Sequence, residues 1–463
     1  MSNPANNDQA FVSTRGEAPR ASFADVLLAG LAPDGGLYLP AAWPKLTVAN
    51  GSYLAAANTV LSAFAAGSFT EAEIADDVAA AYADFDAPDI APLAEISPDL
   101  YLLELFHGPT LAFKDIALQV LGRMFSRALT RRGGRATVVA ATSGDTGSAA
   151  IAALGGLPNI DVFVLHPKGR VSDVQRRQMT TPEHANVHNI ALEGTFDDCQ
   201  AIVKALFAET DFAKDVGLTA VNSINFVRIA AQCVYYFTAT ATLGRAATFV
   251  VPTGNFGDVF AGEAAMRMGL DIERLVVATN SNDIMARALN AGIYESGAVH
   301  PTLSPSMDIQ VASNFERALF EATNRDAGYT ANAMAAFARD KRLVLPEMVR
   351  ENLRARYAAA SCDDVATLDA IKRCHAETGR IVDPHTAVAL HTAWRLNHKP
   401  GAPVVVLSTA HPAKFPDAVA KATGAPPPVP KRLEGLENRP ERLEPLPNDK
   451  GLVRRHIESK ISR

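Results

Sequence analysis

Apolar positions change their spacing near residue 95. Before it, alanine-rich amphipathic stretches at 53–65 and 71–85 predict helices, preceded by a compact segment with turn signals at Pro33-Asp34-Gly35-Gly36 and Pro40. Pro88, Pro92 and Pro98 mark a connection. Beyond it, short apolar runs alternate with amphipathic ones. Runs at 137–141, 161–165, 248–251, 275–278 and 404–407 read as buried strands. Stretches at 148–154, 175–179 and 259–268 read as helices. Repeated strand-then-helix units predict an α/β fold, with parallel sheet covered by helices on both faces. From Pro426 onward proline and charge dominate. That tail is expected to be irregular, with a short final helix near 453–461.

Composition narrows the class. Of 463 residues, 48% are hydrophobic and 20% charged, an ordinary globular balance with ample material for a core. The formal net charge of −6 gives no electrostatic reason to bind nucleic acid or an anionic membrane. No apolar run is long enough to span a bilayer. Residues 1–16 lack the apolar stretch of a secretory signal and the acid-poor character of a transit peptide. Cys199, Cys233, Cys362 and Cys374 lie far apart with no CxxC pair. No disulfide framework or metal site is expected, and a cytoplasmic location fits.

Three small-residue loops follow predicted strands, where open α/β sheets bind ligands. Thr142-Ser143-Gly144-Asp145-Thr146-Gly147-Ser148 leads into a helix. It reads either as a tight turn with an Asp or Ser cap, or as an anion nest at a helix start. Pro252-Thr253-Gly254-Asn255-Phe256-Gly257-Asp258 allows the same two readings. It is neither a Walker loop nor a dinucleotide fingerprint. Ser408-Thr409-Ala410-His411-Pro412-Ala413-Lys414 puts a hydroxyl pair just past a buried strand; alone it reads as a surface turn.

Lys114 follows the turn signal Gly108-Pro109 and lies near the start of an apolar helix. Burial and the helix dipole would both disfavour its cation. A neutral amine there could do carbonyl chemistry; the alternative is a lysine snorkelling on a helix flank. Asp383-Pro384 reads as a helix cap followed by proline at the first helical position.

Taken together, these stretches resemble the threonine synthase family. The run 107–115, His-Gly-Pro-Thr-Leu-Ala-Phe-Lys-Asp, is similar to its cofactor-lysine signature. Segments 13–16, 30–40, 143–150, 166–175, 222–228, 254–258, 383–387 and 408–415 match in order. The resemblance covers nearly the whole chain, except the first dozen residues and the proline-rich tail. It implies the tryptophan-synthase-β-like fold of pyridoxal-phosphate enzymes. On that basis residues 1–95 form a mostly helical N-terminal domain, 96–136 with 235–425 a large cofactor-binding domain, 137–234 a small α/β domain, and 426–463 a C-terminal extension.

The resemblance also implies residue roles. Lys114 would hold pyridoxal 5′-phosphate as a Schiff base and serve as the catalytic base. Gly254, Asn255, Phe256, Gly257 and Asp258 would cradle the cofactor phosphate. Thr409 would offer its hydroxyl to the pyridine nitrogen, and Asp145 would lie beside the ring oxygen, where an anion repels a phenolate unless a proton is shared. Thr142, Ser143, Gly144 and Thr146 would take the substrate carboxylate. For the substrate phosphate, Ser223, Asn225 and Arg228 come first, Lys168 and Arg170 second. The implied reaction converts O-phospho-L-homoserine and water to L-threonine and phosphate, in a monomer or homodimer. A phospho-lyase or serine/threonine dehydratase on the same fold is the nearest alternative. A non-catalytic ligand-binding protein is the alternative of another class; it would be expected to lose the lysine or a phosphate loop. A phosphotransferase is disfavoured by the missing Walker lysine.

Overall fold

The computed structural model describes residues 10–396 and 401–461. Residues 1–9 of the polar N-terminal tail lie outside this description. Two sheets carry the fold. The larger has six strands in the order Tyr357–Ser361, Ile272–Thr279, Ala247–Pro252, Val404–Ser408, Leu100–Glu104 and Leu93–Ser97. All neighbours are parallel except the last pair. The smaller has five parallel strands, in the order Glu444–Pro447, Val187–Glu193, Ile160–Pro167, Ala136–Ala141 and Leu218–Thr219. Ile160–Pro167 is buried at every residue. Burial on both faces is why such strands read as apolar runs without alternation.

The tail departs from expectation. Glu444–Pro447 pairs in parallel with Val187–Glu193 at the edge of the smaller sheet, and the helix Lys450–Lys460 follows. Pro445 and Pro447 lack the N–H that a second neighbour would need, which confines this strand to an edge. Proline content predicts irregular chain there, but edge pairing tolerates it.

The N-terminal segment pairs Phe11–Ser13 with Tyr38–Pro40 and adds the helices Phe23–Ala29, Tyr53–Ala65 and Glu71–Tyr82. Ser22 and Thr70 close capping boxes with Asp25 and Glu73. This unit grips the start of the helix Phe226–Leu243. Phe226 meets Phe11 and Phe64 edge-on, with ring centroids 5.1 and 5.2 Å apart. Asn225 caps the same helix through the Val227 N–H and donates to the Leu27 carbonyl at 2.9 Å. Buried Arg317 donates to the carbonyls of Tyr38 and Ile224. The helix that carries Arg228 is therefore fixed from its first turn. Phe226→Ala should cost about 3–5 kcal/mol in denaturant unfolding, because a buried aromatic leaves a cavity at this junction. A loss below about 1 kcal/mol would show that the N-terminal unit does not brace the helix.

The helices Lys114–Arg131 and Asp145–Leu154 pack closely because Gly122 has no side chain. A Cβ there would lie 2.7 Å from the Ala153 carbonyl oxygen. That approach sets the distance between Lys114 and Asp145, which open the two helices. Among the described residues no helix is long and apolar enough to cross a membrane, and no group of His, Cys, Asp or Glu is placed to hold a metal. The four cysteines are buried and unbridged.

Candidate active site

Lys114 is the first residue of its helix and only 8% exposed. The turn before it is braced across. Asp115 accepts from the Thr110 N–H at 2.8 Å and the Thr110 hydroxyl at 2.7 Å. A Cβ on Gly108 would approach the Asp115 side chain to 2.5 Å, so glycine is needed there. The Phe113 N–H donates to the Thr409 carbonyl at 2.8 Å, and the His411 N–H to the Leu111 carbonyl at 3.0 Å. These bonds seat the loop after Val404–Ser408 against the lysine.

Asp145, 3% exposed, sits at the centre. It accepts from four side chains: Lys114 Nζ at 3.3 Å, Lys414 Nζ at 2.9 Å, Gln175 Nε2 at 2.8 Å and Ser306 Oγ at 3.0 Å. Burial alone would push its carboxyl up. The ammonium charges of Lys414 and Lys114 overcome that and hold it well below the usual carboxylate range. Burial lowers the Lys114 amine, with Lys414 and Arg228 adding to the effect and Asp145 opposing it. Gly144 has φ 142°, and a Cβ on it would come within 2.5 Å of the Gln175 amide carbon. Only glycine lets Gln175 reach Asp145.

The loop before Asp145 is shaped by Thr142, whose hydroxyl accepts from the N–H groups of Gly144 and Gly147, both at 2.9 Å. Its hydroxyl is thus a brace. Among the described residues the N–H groups of Ser143, Asp145 and Thr146 have no protein acceptor. The second loop is alike. Phe256 takes a left-handed backbone, φ 64°, and the N–H groups from Gly254 to Asp258 have no acceptor among the described residues. Free N–H groups clustered at a helix start suit an anion. Gly254 lies against the Ser306 backbone, where a Cβ would meet the carbonyl oxygen at 2.9 Å. Ser306 joins this loop to Asp145.

Asp258 turns its side chain away, to the hydroxyls of Tyr235 and Tyr236. Burial raises its carboxyl to about 7, against the pull of those tyrosines and of Lys114. Its contribution to an anion site is its backbone N–H. The Asn255 carbonyl accepts from Asn314. Thr409 is buried, with its carbonyl on the N–H of Phe113, the residue before Lys114.

Arg228 is 4% exposed and has no carboxylate or other side-chain partner among the described residues; its Nε is buried without an acceptor. Burial pushes its guanidinium down to about 10, still charged at neutral pH. The other expected phosphate ligands are placed differently. Both ends of the Asn225 amide are used in capping and in the bond to Leu27. Ser223 is half-buried and gives its carbonyl to Asn314. Lys168 and Arg170 are exposed on the turn after Ile160–Pro167, and Lys168 pairs with Glu193 at 3.1 Å. Lysine and arginine after a strand can face water as easily as a crevice, and sequence does not separate the two.

Sequence reasoning gave no role to Lys414, Gln175, Ser306 or His385. Lys414, Gln175 and His385 stand inside matching segments, so a signal existed. Asp383 caps the helix Pro384–Trp394 and also bonds His385 Nδ1 at 2.8 Å, while His385 Nε2 accepts the Ser306 N–H at 3.2 Å. Ser306 lies in no segment that the chemistry singled out.

The residues fit pyridoxal phosphate. A buried amine of lowered basicity stands beside free backbone donors, a buried hydroxyl at Thr409 and an unpaired guanidinium. Fold and site together define a pyridoxal-phosphate-dependent enzyme, and the family model "Pyridoxal-phosphate dependent enzyme" matches residues 86–410. Models for the threonine synthase N terminus and C-terminal region match residues 10–82 and 386–457. The chain is 46% identical to the threonine synthase of Pseudomonas aeruginosa over 96% of its own length and 97% of that protein. It superposes on the crystal structure of pyridoxal-phosphate-bound threonine synthase from Brucella melitensis with a TM-score of 0.95, at 47% identity, covering 98% and 99% of the two chains. The yeast enzyme's crystal structure gives 0.93 at 37% identity, with the same coverage. The chain belongs to the threonine synthase family.

Proposed function

We infer that the chain makes L-threonine and phosphate from O-phospho-L-homoserine and water. The observation that carries this reading is the unpaired, buried guanidinium of Arg228 near the buried amine of Lys114. A buried cation without a protein counter-ion suits a substrate that brings its own anion. Pyridoxal phosphate, when bound, supplies the electron sink that makes the substrate's Cα and Cβ protons removable.

The chain's residues do the rest. Lys114 anchors the cofactor and, once free, takes the Cα proton and moves it. Gly254, Asn255, Phe256, Gly257 and Asp258 offer N–H groups to the cofactor phosphate. Thr409 gives the ring nitrogen a neutral hydroxyl partner, which does not force ring protonation. The free N–H groups of Ser143, Asp145 and Thr146 hold the substrate carboxylate. Arg228 holds the substrate phosphate as its bond to Cγ breaks.

The test is product analysis with O-phospho-L-homoserine. Threonine and phosphate should appear in equal amounts. Phosphate with 2-oxobutyrate in place of threonine would instead mark a phospho-lyase on the same fold.

A further inference from the structure

We propose that Lys414 is a positioning residue that claims the carboxylate of Asp145 and thereby leaves Lys114 as the neutral amine of the site. The inference rests on the reading of Lys114 as the reacting amine. Three cations and one anion share an enclosed space: Lys114, Lys414 and Arg228 against Asp145, all buried. The other titratable groups facing them are already engaged. Asp115 is bound by Thr110, Asp258 by two tyrosines, His385 by Asp383 and the Ser306 N–H, and His411 Nδ1 by the Ala413 N–H. With every basic group protonated the three cations would outnumber the carboxylates of Asp145 and Asp115, which a low-dielectric interior resists. Releasing one proton relieves it.

Geometry selects which. Lys414 is 0% exposed and donates to two oxygens, Asp145 Oδ1 at 2.9 Å and the Thr110 carbonyl at 2.7 Å. Lys114 has one acceptor, Asp145 Oδ2 at 3.3 Å, and otherwise the Phe113 ring 4.8 Å away. Lys414 therefore claims the carboxylate, held by short bonds to it and to the Thr110 carbonyl, and Lys114, with one longer contact and a lowered amine, is the group that gives up a proton. An aspartate beside a lysine normally stabilises the lysine's charge. Here the second lysine takes up that carboxylate, and its like charge adds to the effect of burial on Lys114.

The test measures Lys114 without turnover. The full-length protein, stripped of cofactor, is treated with acetic anhydride across a pH series, and acylation of Lys114 is followed by peptide mass spectrometry. Lys414→Gln keeps a donor for Thr110 and removes the charge; it should raise the pH midpoint by about one unit or more. Asp145→Asn should lower it. General damage to the site would move both variants the same way. In the holoenzyme, the pH midpoint of the visible absorbance, set at the same nitrogen, should move in these same opposite directions. An unchanged or lowered midpoint in Lys414→Gln, or a raised one in Asp145→Asn, overturns the proposal. Failure of the threonine assay would instead strike the functional reading, since the acylation midpoint is measured without it.

Discussion

Lys114→Ala loses turnover of O-phospho-L-homoserine by roughly 10⁴-fold or more, while the protein stays folded with an unchanged or slightly higher Tm. Both halves follow from the site. In the proposed reaction the amine anchors the cofactor and serves as the base for Cα, and a positioned base alone contributes about 10²–10⁴-fold. Losing the covalent anchor adds to that. Stability survives because the substitution orphans nothing. Asp145 keeps Lys414, Gln175 and Ser306, and one cation leaves a site that has too many. The pH dependence of the wild type follows as well. Burial lowers the Lys114 amine, so the basic form is reached below the ordinary lysine range. Any limb of kcat/KM set by this amine should rise as that proton leaves and lie on the acid side of an exposed lysine. Steady-state kinetics beside a thermal melt decide the matter. A variant retaining a tenth of wild-type kcat would remove Lys114 from the chemistry, and one that failed to fold would mean the turn at 108–115 depends on this side chain.

How much of this was legible beforehand divides along physical lines. Central strands such as Ile160–Pro167 announce themselves because burial on both faces demands an unbroken apolar run. Lys114 at a helix start was readable from Gly108-Pro109 and the apolar helix after it. The edge strand Glu444–Pro447 was not, since two prolines mask its pairing. The charge logic around Asp145 was also hidden. Lys114 and Asp145 are 31 residues apart and Lys414 is far beyond both, so only the packed fold shows that one carboxylate faces two amines. Nor did the sequence show that Asp145, expected beside the ring oxygen, is surrounded by four donors. The phosphate ligands show the same limit. Arg228, Lys168 and Arg170 are alike as residue types, and burial alone separates Arg228 from the other two.

Arg228→Ala should therefore separate binding from stability. An arginine buried without a counter-ion is a standing cost to the fold, so its removal leaves the unfolding free energy unchanged or raises it. In the proposed reaction the same removal takes away a charge-assisted contact to the departing phosphate. Truncating one partner of a buried charged pair costs about 2–5 kcal/mol, so kcat/KM for O-phospho-L-homoserine should fall roughly 30- to 5,000-fold. A phosphate-free analogue that enters the same site should bind the variant as well as it binds the wild type. Arg228→Lys should fall between, because it keeps the charge and loses the planar fork that meets phosphate with two parallel bonds. Asn225 cannot substitute for the arginine, since capping and the bond to the Leu27 carbonyl occupy its amide. Equal losses on the phosphorylated and phosphate-free compounds would show that Arg228 does not meet the phosphate. A large drop in stability would show that some partner within the protein already satisfies it.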